Sequence, residues 1–412
     1  MLPPARPASL PRVPARLPAS APALVWRRLA ELDDIRSCEL VTLDGRLDAA
    51  TLERAVAYLP AQHPLLAARW DGPAWALDAA PLRMRVETCP DRDTALASVW
   101  SDGDPAEVDV TLLRGPDHDW LRMRVPHDRT DARSGAQVVQ DLADAYAAFE
   151  VGETPTIRAD TAPWDPDVLF RPRARDRLGA LRRLLHDLFA RPAFAVPPDA
   201  PRGAMRVAVL DVGPDAVPAL KAHAAREQTT VHTLLLRAAG RAFGVHRLFD
   251  LVTLRPLASA PVDARSDVLV VPWVQSWPRR ASEAAARAAI AGEVAAVKQG
   301  GARAELARLR LYVALARVAP TALAARLTAR LLVKTDVVVT NPGPVHVPLE
   351  RFGAVPVADF VNFPRLPTPA RAGLVFTTFR GRLRIVALWD DGAFPGGIEA
   401  AARRVLADAT GG

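Results

Sequence analysis

Strand-like and helix-like runs follow one another in the same order at the start of each half of this chain, and this repeated order limits the fold more than any other feature. The first half opens with a strand-like run at Glu39–Leu43 and an amphipathic helix over Leu47–Leu59. The second half opens with a strand-like run at Arg206–Leu210 and a helix over Asp215–Arg226. Each half is therefore predicted to be α/β. The 412 residues are enough for two domains or for one large pseudo-repeated domain.

The rest of the second half continues the same alternation. The predicted helices are His232–Phe243, Ser282–Val297, Ala304–Leu332 and Gly397–Ala409, and the predicted strands are Leu251–Leu254, Val268–Val274, Asp336–Thr340, Gly373–Arg380 and Arg382–Leu388. Gly381 supplies the tight turn between the last two strands. Half of the residues are hydrophobic, which excludes a disordered chain. No run approaches the roughly 20 apolar residues that a membrane-spanning helix needs.

Composition divides the chain into four segments. Residues 1–23 are predicted to form a proline-rich arm, because Met1–Pro22 holds seven prolines and no acidic residue. An N-terminal lobe is predicted over 24–170 and a C-terminal lobe over 201–412. A basic connector over 171–200 joins them.

The connector contains a predicted basic amphipathic helix within Arg171–Pro192, where seven arginines face only two aspartates. Its leucines recur at helical spacing: Leu178, Leu181, Leu184, Leu185 and Leu188. In one interpretation the leucines pack on the core and the arginines stay in solvent. In the other, the segment docks on an anionic membrane or on a carrier protein. We favour the first interpretation, because most such leucine stripes are core faces.

The net charge of +7 does not indicate a nucleic-acid-binding protein. Only three of the 53 basic residues are lysines, and the arginines are spread through the chain among 46 acidic residues. Anionic small groups or an acidic carrier protein fit this charge equally well. Cys38 and Cys89 can form neither a disulfide framework nor a thiolate metal site, which fits the reducing cytoplasm. The sequence shows no metal-binding histidine cluster and no nucleotide-binding or serine-hydrolase motif.

The segment with the clearest chemistry surrounds His127. Leu121–Val125 alternates as a strand, and Pro126 cannot continue its hydrogen-bond ladder, so His127 is predicted to lie in the loop that follows. Ser134 and Gln137 are spaced as a capping box, which predicts a helix start there. A histidine in this place can take a proton from a nucleophile, because its ordinary pKa lies near neutral pH. Asp131 is a candidate for orienting the loop.

Several segments, in the right order, resemble condensation domains and related acyltransferases of the chloramphenicol acetyltransferase fold group. The run Val125–Ser134, with Leu142–Tyr146 behind it, resembles their HHxxxDGxS segment. Four further resemblances cover most of residues 24–409. In the first half, Leu43–Leu52 with His63–Leu66 resembles the family's opening strand, helix and HPxLR segment. In the second half, Leu220–Leu236 resembles the start of the family's second half, Thr340–Gly343 resembles its SNxG turn, and Arg380–Leu383 resembles its terminal hairpin.

The resemblance implies an α/β fold of two lobes that form a V with a central tunnel. A thioester donor would enter this tunnel from one face and the acceptor from the other. His127 would lie at the centre of the tunnel as general base. Asp131 would pair with an arginine that keeps the loop in shape, and Arg255 is the candidate for that arginine. The residues expected along the tunnel are Ser134, Thr340, Asn341 and Gly343.

The implied activity is acyl transfer from a carrier-protein or coenzyme A thioester to an amine or alcohol. The implied setting is specialised metabolism in a bacterium, such as nonribosomal peptide or polyketide biosynthesis. No permanently bound cofactor is expected, since the phosphopantetheine-linked or coenzyme A thioester is a substrate. The expected partners are an acyl or peptidyl carrier protein and a small-molecule acceptor, without nucleic acid.

Two positions depart from the motif and leave alternatives open. Pro126 replaces the first histidine, which several branches lack, and Ala132 replaces the glycine. One alternative is therefore a catalytically degenerate condensation-like protein that binds or recruits a partner. A second is a membrane-associated ester synthase with peripheral contact through 171–192, which would bind anionic vesicles in a salt-sensitive way.

Overall fold

In a computed structural model, two six-stranded sheets and one three-stranded sheet form the framework of the part of the chain that the structure describes. The structure describes residues 15–77, 81–100, 104–158, 160, 162–170, 173–189, 192–197, 200–262, 265–316, 320, 323 and 334–412. The strands of the first half are β1 (Arg16–Pro18), β2 (Arg36–Leu43), β3 (Arg69–Asp71), β4 (Ala74–Ala76), β5 (Met84–Thr88), β6 (Asp109–Arg114) and β7 (Asp119–Pro126). Those of the second half are β8 (Met205–Asp211), β9 (Arg247–Thr253), β10 (Val270–Ser276), β11 (Val337–Pro344), β12 (Arg351–Phe352), β13 (Val355–Pro364), β14 (Ala372–Phe379) and β15 (Arg382–Asp390).

Helices cover these sheets, and most begin at a side-chain cap. The helices of the described residues are α1 (Ala21–Ala30), α2 (Ala49–Gln62), α3 (Arg92–Ala97), α4 (Ala132–Glu150), α5 (Pro166–Phe170), α6 (Ala174–Phe189), α7 (Ala216–Arg226), α8 (Val231–Ala242), α9 (Glu283–Ala296), α10 (Ala302–Ala316) and α11 (Glu399–Thr410). Asp48, Thr230 and Ser282 each accept a backbone N–H at the start of their helix, which satisfies a donor that the helix leaves unpaired. Within the described ranges, no helix is both long enough and apolar enough to cross a bilayer.

The first sheet takes a segment from far along the chain. Its strand order is β12-β13-β2-β7-β6-β5, whereas the second sheet has the order β10-β9-β11-β14-β15-β8. Strand β13 pairs antiparallel with β2, so that Asn362 lies opposite Glu39 and Val361 opposite Leu40. The range 201–412 therefore contributes two strands to the sheet of the first half. The second sheet mixes parallel and antiparallel pairs, since β11 is parallel to both β9 and β14.

Each large sheet has its own hydrophobic core, as the periodicity predicts. In the first, Leu52 and Val56 of α2 are fully buried together with apolar residues of β2, β7 and α4. In the second, α8 packs its apolar face on β9 and β11, and α11 packs on β15. Truncating a leucine in either core to alanine would cost about 2–5 kcal/mol. Cys38 and Cys89 are both buried free thiols.

The N-terminal arm and the basic connector differ from expectation where the structure describes them. The arm was predicted over 1–23, but Arg16–Pro18 pairs with β4 and α1 begins at Ala21; residues 1–14 lie outside the described residues. In α6 the leucines were expected to be buried, but Leu178, Leu181 and Leu185 are 54, 46 and 47% exposed. The face of α6 that points inward instead carries the small side chain of Ala180, which is 2% exposed.

An arginine of α6, rather than these leucines, makes the inward contact. The guanidinium of Arg183 lies over the ring of Trp273, 3.8 Å from its centre, so an arginine packs inward where a leucine was expected. Residues 171–172, 190–191 and 198–199 of the connector lie outside the described residues, as do 317–319, 321–322 and 324–332 of the helix predicted over Ala304–Leu332. Membrane contact through 171–192 stays a prediction.

Candidate active site

His127 lies directly after the end of β7, in a buried loop that leads into α4. Its side chain is 3% exposed, and its ring stacks on the indole of Trp26 in α1, with the ring centres 4.1 Å apart and the planes 5° from parallel. Burial lowers the pKa of His127 below its ordinary value of 6.5, because a desolvated imidazolium is unfavourable. The imidazole is therefore neutral near pH 7 and can accept a proton. Its Nδ1 has no hydrogen-bond partner among the described residues.

Asp131 holds the start of α4 to the second half of the chain. Its Oδ1 accepts the backbone N–H groups of Arg133 and Ser134 at 3.1 and 3.0 Å. Its Oδ2 accepts the backbone N–H of Leu269 at 2.9 Å and Nη1 of Arg255 at 2.7 Å. Burial alone would raise the pKa of Asp131, but Arg255 and these N–H donors outweigh burial, so the pKa lies below its ordinary value. Asp131 is thus an ionised anchor.

The sequence analysis predicted the start of α4 three residues too late. Ser134 and Gln137 were predicted to form the capping box, but α4 begins at Ala132, with Asp131 as its N-cap and Ser134 as the second member of the box. An aspartate caps as well as a serine, and Asp131 reaches the N–H groups first. Gln137 instead donates its side-chain N–H to Asp141 at 3.1 Å.

Ser134 and Arg255 complete the anchor. Arg255 follows β9 in a short 3-10 turn, and its Nη2 donates to Ser134 Oγ at 2.9 Å. The hydroxyl of Ser134 can donate to Asp131 or to the backbone carbonyl of Asp267. Ser134 is 2% exposed and is used by this network, so it is not among the residues that line the cavity described next, where the sequence analysis had expected it.

A cavity of about 150 Å³ lies between the two large sheets, with His127 in its wall. The predicted residues Thr340 and Asn341 line the same cavity, as do Asp131 and Arg255. Gly343 lies beside it, in a smaller cavity that shares Asn362 with the first. Apolar side chains from both sheets form the rest of the wall: Leu251, Val270, Phe363 and Val375.

The segment Asn341-Pro342-Gly343 is part of a strand rather than a terminal turn. Strand β11 was expected to end at Thr340, but it continues to Pro344 with an irregularity in its register. Gly343 adopts a φ of +80°, which favours glycine, and its N–H donates to Asn341 Oδ1 at 3.0 Å. This bulge presents Asn341 to the cavity.

The two departures from the motif are accommodated locally. Ala132 is the first residue of α4 and is not among the residues with positive φ, so its methyl group causes no backbone strain there. Its carbonyl accepts a hydrogen bond from Asn362 Nδ2 at 2.8 Å. Pro126 is the last residue of β7 and lies opposite Arg36.

The other conspicuous histidine of the first half is structural. His63 is fully buried at the end of α2, and its Nε2 lies 2.7 Å from Asp141 Oδ2. The following residues support the loop of His127, since Arg129 donates to the carbonyl oxygen of Leu66 at 2.7 Å. The segment that resembles HPxLR therefore supports the loop that carries His127.

Trp26 and Glu39 belong to the site, although the sequence analysis did not select them. Glu39 lies on β2, lines the cavity and is completely buried. Desolvation raises the pKa of Glu39 to about 8, and a smaller effect of Ser37 opposes this. Neither carboxyl oxygen has a hydrogen-bond partner in the part of the chain that the structure describes. One signal was present in the sequence: a carboxylate interrupts a strand whose neighbours are apolar.

Three solved structures of similar fold are distant in sequence. The first condensation domain of the calcium-dependent antibiotic synthetase, in complex with a substrate analogue, has a TM-score of 0.70 and 16% identity, covering 96% of this chain and 95% of that chain. A double mutant of the starter condensation domain of rhizomide synthetase RzmA, in complex with C8-CoA and Leu-SNAC, has a TM-score of 0.66 and 17% identity, covering 96% and 94%. TRI3 trichothecene 15-O-acetyltransferase from Fusarium sporotrichioides has a TM-score of 0.71 and 11% identity, covering 96% of each chain.

No protein-family model matches the sequence, and no curated protein matches it. The structural likeness extends over nearly the whole chain and includes both large sheets. It confirms the predicted α/β fold of condensation domains and chloramphenicol acetyltransferase-like proteins.

Proposed function

We propose that this chain, which has the fold of condensation domains and of an acetyltransferase, is an acyltransferase that moves an acyl group from a thioester to an amine or alcohol acceptor. The observation that carries the proposal is the position of His127: a neutral, buried imidazole in the wall of the cavity between the sheets. A base in such a place can act on an acceptor while the surrounding apolar wall limits access of water.

The proposed reaction needs little from the protein beyond this base and a fixed geometry. The acceptor nitrogen or oxygen attacks the thioester carbonyl carbon, and His127 takes the proton that the nucleophile loses. The new C–N or C–O bond forms, the C–S bond breaks, and the leaving thiolate takes the proton back from His127 as the thiol departs. Thioesters are already activated, so orientation of the two substrates supplies much of the rate.

The donor is proposed to be a phosphopantetheine-linked or coenzyme A thioester. The rhizomide synthetase domain of the same fold was solved with C8-CoA, which supports a coenzyme A donor. An acyl or peptidyl carrier protein would present the phosphopantetheine form. The thioester is a substrate here, so no permanently bound cofactor takes part in the proposed step.

Thiol release tests the proposal directly. Acyl thioesters of coenzyme A and of N-acetylcysteamine are incubated with the protein and with pooled amine and alcohol acceptors, and free thiol is measured over time. We expect release that depends on both protein and acceptor, with the acylated acceptor identified by mass spectrometry. Release without acceptor dependence would contradict acyl transfer. A protein that is folded but inactive with every donor would favour the partner-binding alternative.

Trp26 gives a prediction for pH dependence. His127 must be neutral to act as a base, so activity falls as pH drops through its pKa, which burial places below 6.5. Trp26→Ala removes the stacked indole and admits water, which should raise this pKa toward 6.5 and move the acidic limb of kcat/KM to higher pH. Trp26→Phe keeps an aromatic cover and should show a smaller shift. If the acidic limb of kcat/KM lay at the same pH in wild type, Trp26→Ala and Trp26→Phe, cover by Trp26 would not be what lowers the pKa of His127.

A further inference from the structure

The carboxyl group of Glu39 is the least expected feature of the cavity. It is completely buried, it lines the cavity, and neither of its oxygens has a hydrogen-bond partner in the described residues. The nearby hydroxyl of Ser37 donates to the backbone carbonyl of Val125 at 3.3 Å. An unpaired polar group in such a place costs free energy, and a charged one costs more. The position therefore calls for a partner that the described residues do not supply.

The surrounding backbone holds the carboxyl group in place. Strand β2 lies between β13 and β7, so the backbone of Glu39 is hydrogen-bonded on both sides. On the opposite side, Gly135 in the first turn of α4 leaves space for the carboxyl group. A Cβ atom at position 135 would collide with Oε1 of Glu39. Glycine at this position thus admits an acidic side chain into the cavity wall.

The charged groups around the cavity do not neutralise Glu39. Arg255 is bound to Asp131 and Ser134. His127 is buried and neutral near pH 7. Arg133 also lines the cavity, but no hydrogen bond joins it to Glu39 among the described residues. The carboxyl group of Glu39, in the wall of the cavity, is therefore left without a charged partner among these residues.

We propose that Glu39 binds a basic nitrogen of the acceptor, so that the acceptors of this protein are amines or amino alcohols rather than neutral alcohols. An amine that attacks through this nitrogen first returns one proton of its ammonium form to the carboxylate of Glu39, because only the neutral amine has a lone pair for the attack. In an amino alcohol the hydroxyl oxygen attacks and the ammonium stays paired with Glu39. This inference rests on the proposed acyl transfer. A protonated amine offers several N–H donors and a positive charge, which match an acidic group that accepts through two oxygens. A neutral alcohol offers one donor and no charge, so it would leave the carboxyl group incompletely satisfied.

Binding should release a proton at neutral pH. In the empty cavity the carboxyl group is mostly protonated at pH 7, because its pKa is about 8. An ammonium group that enters pairs with the carboxylate form, so the carboxyl proton passes to the solvent as the ion pair forms. The groups that face this pair are His127, Arg133 and the Asp131–Arg255 pair. Of these, Asp131 and Arg255 already neutralise each other.

The test uses binding alone and needs no thioester. Butylamine hydrochloride is the probe and butanol its neutral control, since the two molecules match in size and fit a cavity of about 150 Å³. Thermal unfolding reports binding, and phenol red in weakly buffered solution at pH 7 reports proton release. Wild type should be stabilised by butylammonium with release of protons, and much less by butanol.

Substitutions at two positions separate recognition from folding. Glu39→Gln and Glu39→Met should weaken butylammonium binding by about 10- to 100-fold, the effect of losing a hydrogen bond to a charged group. Glu39→Met should also unfold at a higher temperature than wild type, because it removes an unpaired buried carboxyl group. The control is Glu53→Gln, since Glu53 is exposed on α2. Gly135→Ala should displace the carboxyl group and weaken binding, whereas Gly292→Ala, where a Cβ meets open space, should not.

The outcomes distinguish this inference from the proposed acyl transfer. Equal stabilisation of wild type by butylammonium and butanol would overturn the role of Glu39, as would retention of the amine effect in Glu39→Gln and Glu39→Met. Neutral alcohols acylated as fast as amines would overturn it while leaving acyl transfer intact. Selective, Glu39-dependent amine binding without thiol release from any thioester would support the role of Glu39 as an amine site and count against the reaction.

Discussion

Replacing His127 with alanine is expected to lower acceptor-dependent thiol release by about 10²- to 10⁴-fold, the usual contribution of a positioned general base. The expectation follows from the proposed step, in which the imidazole takes the proton of the attacking nucleophile. Within the described residues that line the cavity, His127 is the only histidine. Initial rates with saturating thioester and acceptor measure the effect.

Two further variants keep the result interpretable. His127→Gln retains much of the side-chain volume against Trp26 without an imidazole and should be as inactive as His127→Ala. His223→Ala, on α7 and outside the cavity lining, should keep the wild-type rate. Circular dichroism and thermal unfolding show whether each variant is folded. A folded His127→Ala protein whose rate of thiol release stays within a few-fold of wild type would mean that another group takes the proton of the nucleophile.

Arg255→Ala is expected to have the largest effect on stability, about 3–5 kcal/mol in the free energy of unfolding. The Asp131–Arg255 ion pair is 2.7 Å long, and the side chains are 2 and 8% exposed. Removing the arginine leaves a buried carboxylate without its cation, which costs more than the pair itself contributes. Urea unfolding at pH 7 measures the loss. Arg382→Ala is the control, because its pair with Asp211 is about half exposed and should contribute less than about 1 kcal/mol.

The pH dependence of this anchor has a definite sign. The pKa of Asp131 is lower in the folded protein than in the unfolded chain, where it is near its ordinary value of 3.8. Its contribution to stability is therefore present above about pH 4 and is lost as pH falls through the folded-state pKa. Arg255→Ala should lose most of this pH dependence. An unchanged acid-unfolding curve in that variant would contradict the assignment. The lower activity expected for Arg255→Ala should accompany its lower stability, whereas His127→Gln, which keeps the side-chain volume against Trp26, should lose activity with little loss of stability.

Local sequence patterns predicted the framework of the fold correctly. The apolar positions of α2 and α8 recur at helical spacing and are buried as expected, with Leu52 and Leu234 fully inside. Arg380 and Gly381 both have positive φ between β14 and β15, as the predicted tight turn requires. Such elements are specified by residues close together in the chain, so one sequence is enough to find them.

Contacts between distant parts of the chain were harder to predict. Arg255 lies 124 positions from Asp131, and only the resemblance to acyltransferases connected them. Nothing local in the sequence pairs Trp26 with His127, because their stacking depends on how α1 packs. The predicted orientation of α6 was wrong for a similar reason. The guanidinium of Arg183 covers the ring of Trp273, and residue spacing alone does not show which face of a helix packs against the protein. Glu39 was visible as a charge in a buried strand, but its role depends on the cavity beside it.

The crossing of β12 and β13 into the first sheet limits how this protein can be recombined with relatives. An exchange of halves at the connector would separate residues 36–43 from residues 355–364, although these two strands pair along most of their length. In such a chimaera β2 would have to pair with a strand from the other parent, and a poor match would leave an unpaired sheet edge, which promotes association with other chains. A chimaera that respects the architecture would inherit both strands from one parent, together with the wall of the cavity that carries Glu39 and Asn362. The unit of exchange is therefore the sheet, and not a continuous stretch of sequence.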